Sequence, residues 1–406
     1  MDSMIAAAAR ALSVGQPLLA LDVVALRNDP HALALRRTAM AQLQQYERAR
    51  ALLQRAARAF GADEELARAK CTLAEAEVAL LMRDLTWASG KLAGVAPIFE
   101  RHHDQANLLH ARLVEARRLL LLGRVAAAID VMALVKDHGA SPVPIALAEL
   151  TRTELALRQW RAAAARQALG RAHAAAAASQ NAMLLAEVSN AGAPLERTAA
   201  RLITGRSSSP VRLEEVEALL GSNMLVLDGC RRGVAWSGTW RSLARRPVLF
   251  TLAHALASSW PDDVDRESLI VTAFRTRRPD HTHRARLRVE IGRLRSLIKG
   301  MAEIVSTPRG FVLRPAPSAQ VAVLEPPIDG QEGALIALLS DGSRWSTSGL
   351  AEALGASQRT VQRALSGLME AGRVQGVGNG MARRWQASPL TDFTTILLLP
   401  TSLAGP

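Results

Sequence analysis

The chain has 406 residues with a net charge of +13, and 49% of its residues are hydrophobic while only 3% are aromatic. That length holds several separate cores, and with so few aromatics those cores must be built from Ala, Leu and Val, which favours closely packed helices. Two distant cysteines, Cys71 and Cys230, exclude a disulfide scaffold or a zinc module, and no apolar run reaches the length that spans a bilayer.

No positively charged leader precedes the first alanines, so a soluble cytoplasmic protein is expected, with no membrane association. Lysine occurs only at Lys70, Lys91, Lys136 and Lys299, so almost all the positive charge is arginine. The excess is local. Residues 231–315 carry 17 Arg or Lys against 7 Asp or Glu, residues 316–406 carry 6 against 7, and residues 1–230 carry 27 against 23.

From about residue 4 to 205 the pattern is helical almost throughout, and similar units recur. LQQYERARALLQRA, DLTWASGKLAGVAPIF, LGRVAAAIDVMALV and LRQWRAAAARQALGRA each follow another helical segment. Each opens on a polar turn and then has Tyr46, Trp87, Val125 or Trp160, at intervals of 41, 38 and 35 residues. A small residue follows three positions later: Ala49, Gly90, Ala128 and Ala163. A large residue at the turn and a small one a helical turn later let adjacent helices approach closely. The pattern over about residues 15–185 resembles degenerate tetratricopeptide-type helical hairpins, which implies a concave surface for a protein partner or a second copy of the chain. His102, His103 and His110 lack acidic or cysteine companions at ligand spacing; they read as solvated histidines on helix surfaces.

Gly205-Arg-Ser-Ser-Ser-Pro210 breaks the helical pattern and marks a connection, with Val211–Leu220 a short helix leading onward. MLVLDGCRRGVAWSG alternates apolar and turn residues, which predicts two or three short strands. RRPVLFTLAHALASSW then reads as a helix ended before Pro261, and DRESLIVTAF as a second helix with Asp265 as N-cap.

The next stretch, Thr282 to Met301, is the most distinctive in the chain. As a helix it would run about 30 Å. Leu287, Ile291, Leu294 and Ile298 recur at steps of four, three and four and form one apolar stripe. Arg286, Val289 and Arg293 fall toward the opposite face, and Arg288 and Arg295 lie on a flank. One side suits a core; the other offers guanidinium groups to a groove lined with phosphates and base edges. AEIVSTPRGFVL follows as a strand, a tight turn with Pro308 and Gly310, and a returning strand.

The order strands, helix, helix, arginine-rich helix, hairpin resembles the winged-helix effector domains of the OmpR/PhoB type, carried by RPVLFTLAHAL, RESLI, RVEIGRLRSLI and IVSTPRGFVL. The resemblance covers about residues 223–315. It implies a third helix in the major groove, with Arg286, Val289 and Arg293 at groove-facing positions, and a wing on which Thr307 and Arg309 meet the DNA. Phosphate or flank contacts are expected from Arg288 and Arg295. No receiver domain with a phosphorylatable aspartate precedes this module.

APSAQVAVLEPP reads as a short proline-bounded linker. From Gly330, GALIALLSDGSRW and STSGLAEALG predict two helices, the latter ending at Gly355. SQRTVQRALSGLMEAG predicts a third, with Ser357 as N-cap and Val361, Leu365 and Leu368 as its core stripe. VQGVGNGMARRWQ predicts a hairpin with Gly378-Asn379-Gly380 at the tip. This unit resembles the winged helix-turn-helix of many bacterial regulators. Arg359, Gln362 and Arg363 face outward, Arg383 and Arg384 lie on its hairpin, and Ser357 joins them as a candidate DNA contact. The tail DFTTILLLPTSLAGP is apolar at Ile396–Leu399 and reads equally as an edge strand, a dimer contact or a partner peptide.

The expected fold is thus mainly α: a helical-repeat domain over 1–205 and two small α/β winged-helix domains over 223–315 and 330–388. Linkers are expected at 206–222 and 316–329, with a tail at 389–406. GxxxxGK[ST], HExxH, GxSxG and metal-spaced Cys/His sets are all missing, so an enzyme, a cofactor and a metal are not expected. The expected function is sequence-specific binding of double-stranded DNA in transcription regulation. The alternative is a protein-interaction scaffold whose winged helices dock proteins.

Overall fold

The computed structural model describes residues 3–60, 63–82, 84, 89–137, 139–205, 207–276, 278–328, 330–340, 344–378 and 380–388. Trp87, Asn379 and the tail 389–406 lie outside the described residues. The fold is mainly helical with a smaller mixed-sheet region. Two compact units divide the chain: Met1–Gln159 with Ala163–Ala193, and Trp160–Ala162 with Pro194–Ser388.

The first unit contains α1 (Ser3–Ser13), α2 (Pro17–Val24), α3 (Pro30–Gln42), α4 (Tyr46–Ala59), α5 (Glu65–Leu81), α6 (Ser89–Arg101), α7 (Gln105–Leu121), α8 (Val125–Ala133), α9 (Pro142–Arg158), α10 (Ala162–Ala178) and α11 (Ala182–Ala191). Side-chain caps and prolines set several starts. Asp29 accepts from the Ala32 N–H at 3.1 Å ahead of Pro30, Asp104 from Asn107 at 3.1 Å, and Asn181 from Leu184 at 3.1 Å. Short turns fold each helix up to α9 back on its predecessor, and α1 also packs on α3, α5 on α7, α7 on α9 and α9 on α11. Alanine makes this stacking close: Ala49 and Ala128 are fully buried. The expected register holds only at those two, because Gly90 and Ala163 are exposed and in α10 Ala165 takes the buried position.

The inward faces of these helices also carry charge. His110, read as a solvated histidine, is buried instead, with Nε2 3.2 Å from Oε2 of the equally buried Glu77. Arg37 on α3 and Arg117 on α7 are buried too. Burial pulls both guanidinium groups down, opposed by Cys71 and Glu77 at Arg37 and by Glu187 and Glu77 at Arg117. Charge on an inward face is tolerated when opposite charges share the same interior. His102 and His103 are exposed as expected.

The second unit begins with α12 (Ala193–Glu196), β1 (Thr198–Thr204), β2 (Ser207–Arg212) and α13 (Leu213–Gly221). It continues through β3 (Leu225–Asp228), β4 (Gly233–Trp236), β5 (Thr239–Ser242), α14 (Pro247–Ser258), β6 (Val264–Asp265), α15 (Arg266–Phe274) and α16 (His281–Leu297). Then come β7 (Ala302–Ser306), β8 (Gly310–Pro315), β9 (Val321–Glu325), α17 (Gly330–Leu339), α18 (Thr347–Leu354), α19 (Gln358–Glu370), β10 (Val374–Val377) and β11 (Arg384–Ala387).

Both expected linkers carry regular structure. Helix gives way to strand at Thr198, and β1 pairs with β2, so the region up to 205 is not wholly helical and 206–222 is strand followed by helix. The segment 316–329 contains β9, which lies inside a six-stranded sheet of order β2-β1-β9-β3-β4-β5, antiparallel to β1 and parallel to β3. Its side chains explain the placement. Val321 and Val323 join the core formed with α14, α15 and α16, whereas Leu324 joins the core on the other face with Val216 of α13. A strand buried on both faces reads as a continuous apolar run, and VAVLE is one. The flanking prolines end it without making it a linker.

The remaining elements form two helix-and-hairpin bodies. In the first, β6 adds to the β7–β8 hairpin in the order β6-β8-β7. Gly310 allows this, since a Cβ there would stand 1.8 Å from the Val264 carbonyl oxygen. In the second, α17, α18 and α19 share a core with Val374 and Trp385, and Trp345 bridges to Trp385 beside β10–β11.

Candidate nucleic-acid interface

Helix α16 starts at Asp280, whose carboxylate accepts from Thr282 Oγ1 at 2.6 Å, the His283 N–H at 3.0 Å and His283 Nδ1 at 2.6 Å. These donors, Thr282 first and the His283 backbone second, hold the Asp280 carboxyl well below the usual carboxylate range. A negative group here complements the helix dipole. The helix ends at Leu297, short of the expected Met301, with Gly300 at φ +85° turning the chain into β7. Leu287, Ile291, Leu294 and Ile298 are all buried, so the stripe anchors the helix as the periodicity predicts.

The opposite face emerges with a division of labour that spacing does not reveal. Arg286 is exposed, and its guanidinium lies 4.5 Å above the centre of the Phe274 ring at the end of α15. A cation–π contact of this kind braces the side chain without using its hydrogen-bond donors. Val289 is 54% exposed. Arg293 donates to Glu290 at 2.8 Å, one turn back. Arg288 is exposed with no hydrogen bond or ion pair among the described residues. Arg295, expected on the flank or on phosphate, is exposed and also ties the helix to the hairpin: Nε donates to the Ile304 carbonyl at 2.8 Å and Nη2 to Ser306 Oγ at 3.2 Å.

The β7–β8 turn is equally tied down. Thr307 Oγ1 donates to Asp263 Oδ2 at 2.6 Å and accepts from the Gly310 N–H at 2.8 Å, so the expected contact residue is a turn-former. Arg309 is 72% exposed, with Nη1 3.7 Å from Asp263 Oδ1. Arg266, which sequence reasoning did not single out, clamps the turn from below by donating to the carbonyls of Pro308 at 2.7 Å and Thr307 at 2.8 Å. The sequence signal was its place directly after the N-cap Asp265, at the point where a strand edge meets a helix start. Glu290 was also missed as a partner, although its spacing of three from Arg293 permits a same-face pair.

On α19, Ser357 caps the helix by accepting from the Thr360 N–H at 3.1 Å. Arg359, Gln362 and Arg363 are exposed, and none of the three makes an ion pair among the described residues. Val361, Leu365 and Leu368 are buried beneath them. The hairpin arginines also make contacts within their own body. Arg383 is half-buried over the Trp385 ring at 4.3 Å, with Nη2 3.2 Å from Met369 Sδ, and Arg384 Nη1 donates to the Arg383 carbonyl at 3.1 Å.

The thirteen expected contact residues therefore fall into two sets. Arg286, Arg288, Val289, Arg293 and Arg309 around α16, and Arg359, Gln362 and Arg363 on α19, present exposed side chains. Arg295, Thr307, Ser357, Arg383 and Arg384 make hydrogen bonds within their own bodies, and of these Arg295 and Ser357 are exposed as well. Comparison with protein-family models, with curated proteins and with solved structures returns no match for this chain.

Proposed function

We propose that this chain is a sequence-specific binder of double-stranded DNA that regulates transcription in the cytoplasm, with α16 and α19 as the reading helices of two winged-helix bodies. One observation carries the reading: α16 is anchored through Leu287, Ile291 and Leu294 while Arg286, Arg288 and Arg293 stand exposed on its outer side. Phosphate contacts by these arginines supply salt-dependent affinity, and one or two of them read base edges. The helical hairpins of the first unit offer a docking surface for a protein partner or a second copy.

The test is binding of a selected duplex by the full chain, followed by fluorescence anisotropy over a salt series. Arg286→Ala with Arg293→Ala should cost about 1–3 kcal/mol per base-reading arginine, whereas Arg161→Ala with Arg166→Ala should cost far less. Equal losses from both pairs would reduce the effect to bulk charge. Failure of the unaltered chain to shift any genomic fragment at moderate salt would favour the scaffold reading, with these bodies docking proteins.

A further inference from the structure

Within the second unit, a cavity of about 190 Å³ is lined by three arginines, Arg201, Arg232 and Arg275. Arg232 stands out. It is only 7% exposed, its Nε has no hydrogen-bond partner, and no carboxylate pairs with it among the described residues. Its sequence neighbour Arg231, by contrast, donates to Asp228 at 2.7 Å. The Arg232 guanidinium rests 4.3 Å above the centre of the Phe250 ring, and both side chains line the cavity. Burial, and then the charge of Arg275, pull its pKa down to about 10.

Arg275 approaches from the C-terminal end of α15, in a left-handed conformation at φ +54°. Its guanidinium lies across Gly355, where a Cβ would fall 1.0 Å from Nη1, so glycine at the end of α18 makes room for it. Two like charges brought to one cavity, one of them buried, destabilise the fold unless an anion joins them. The carboxylate that lines the cavity, Glu325, is met by His254 Nε2. The rest of the wall is small and apolar, with Ala334, Ala337 and Leu354 from α17 and α18.

We propose that this cavity binds a small organic anion, a carboxylate or phosphate ester, whose oxyanion bridges Arg232 and Arg275 and whose compact apolar part meets Ala334, Ala337 and Leu354. The geometry suits it: guanidinium forks grip planar oxyanions with paired hydrogen bonds, and the volume lies below the roughly 300–1,000 Å³ of pockets for drug-sized ligands. The walls come from the β3–β4 turn, from α15 and from α17–α18, so an occupant links the body that carries α16 to the body that carries α19. Anion binding goes beyond the proposed DNA reading and is measured without DNA.

The experiment is calorimetric titration and thermal scanning of the full chain with inorganic phosphate, acetate, butyrate and benzoate, at ionic strength held constant with chloride. At least one anion should bind saturably and raise Tm with the logarithm of its concentration. Arg232→Met and Arg275→Met should each weaken that binding tenfold or more, Ala337→Leu should weaken it by filling the cavity, and Arg161→Ala should leave it unchanged. Arg232→Met removes a buried charge and should leave the chain folded, which its own thermal transition checks. No anion binding beyond chloride, or equal binding by the unaltered chain and Arg232→Met, would overturn the proposal.

Discussion

Helices α16 and α19 are built alike and equipped differently. Each is capped by a side chain, Asp280 or Ser357, and each buries three or four apolar residues while turning arginines outward. The segment 231–315 around α16 has by far the larger excess of positive charge, yet most of its arginines are engaged. Arg284 pairs with Glu267, Arg293 with Glu290, Arg286 lies on Phe274, and Arg295 holds the hairpin. Arg359 and Arg363 sit in a segment with one more acid than base, and neither is paired among the described residues. Net charge governs attraction at a distance; contact depends on which guanidinium groups have donors to spare. By that measure Arg359 and Arg363 compare with Arg288, the arginine of α16 that likewise has no hydrogen bond or ion pair among the described residues, so the less basic body is equipped on a par with the more basic one.

The largest effects come from cutting each body away separately. Leu294 and Leu365 are fully buried in clusters that share no residue. Truncation of either to alanine should cost about 2–5 kcal/mol in its own body. Differential scanning calorimetry should then show Leu365→Ala lowering one part of the transition and Leu294→Ala another. If both variants depress a single transition equally, the bodies unfold as one and the comparison of two independent heads fails.

Next in size is direct removal of the α19 donors. Arg359→Ala with Arg363→Ala should weaken duplex binding by about 1–3 kcal/mol per base-reading arginine, at least as much as the Arg286 and Arg293 pair. It should also flatten the salt dependence by roughly one unit of slope for each phosphate that is no longer neutralised. An unchanged affinity and footprint would assign α19 to protein contacts and leave α16 as the single head.

Much of this architecture was legible and some of it was not, for reasons that differ by residue. The stripe Leu287, Ile291, Leu294, Ile298 and the caps Asp265 and Ser357 follow from local periodicity and hydrogen bonding, and both appear where the sequence places them. Strand β9 was missed because its meaning is non-local: VAVLE acquires a place only by pairing with β1 and β3, both about a hundred residues away. The inward charges had a local signal. Arg37 lies four residues from both Leu33 and Ala41, on the buried stripe of α3, so a charge on the apolar face was the clue to an internal ion network. What arginine side chains do once folded was beyond reach. Arg286, Arg293 and Arg295 share one helix, and only their neighbours from α15, from α16 itself and from the β7–β8 hairpin separate an arginine braced on a ring, one paired with a carboxylate and one tied to the hairpin.

The smallest predicted effect discriminates most sharply. Glu290 has only 12% of its side chain exposed, and it holds Arg293 at 2.8 Å on the face proposed to meet DNA. A pair of this kind contributes at most about 1 kcal/mol to stability, so Glu290→Gln should leave the thermal transition almost unmoved. On the nucleic acid the same change removes a negative charge beside the phosphates and frees a guanidinium. Affinity should therefore rise, by less than about tenfold, since roughly 1.4 kcal/mol is needed for that factor. The gain should vanish in the Arg293→Ala background, because a double-mutant cycle isolates the coupling between the two. A gain that survives without Arg293 would show that Glu290 acts only by repelling phosphate. A loss of affinity would mean that the ion pair positions Arg293 for reading, so that engagement by a neighbour is how α16 prepares its contacts rather than what blunts them.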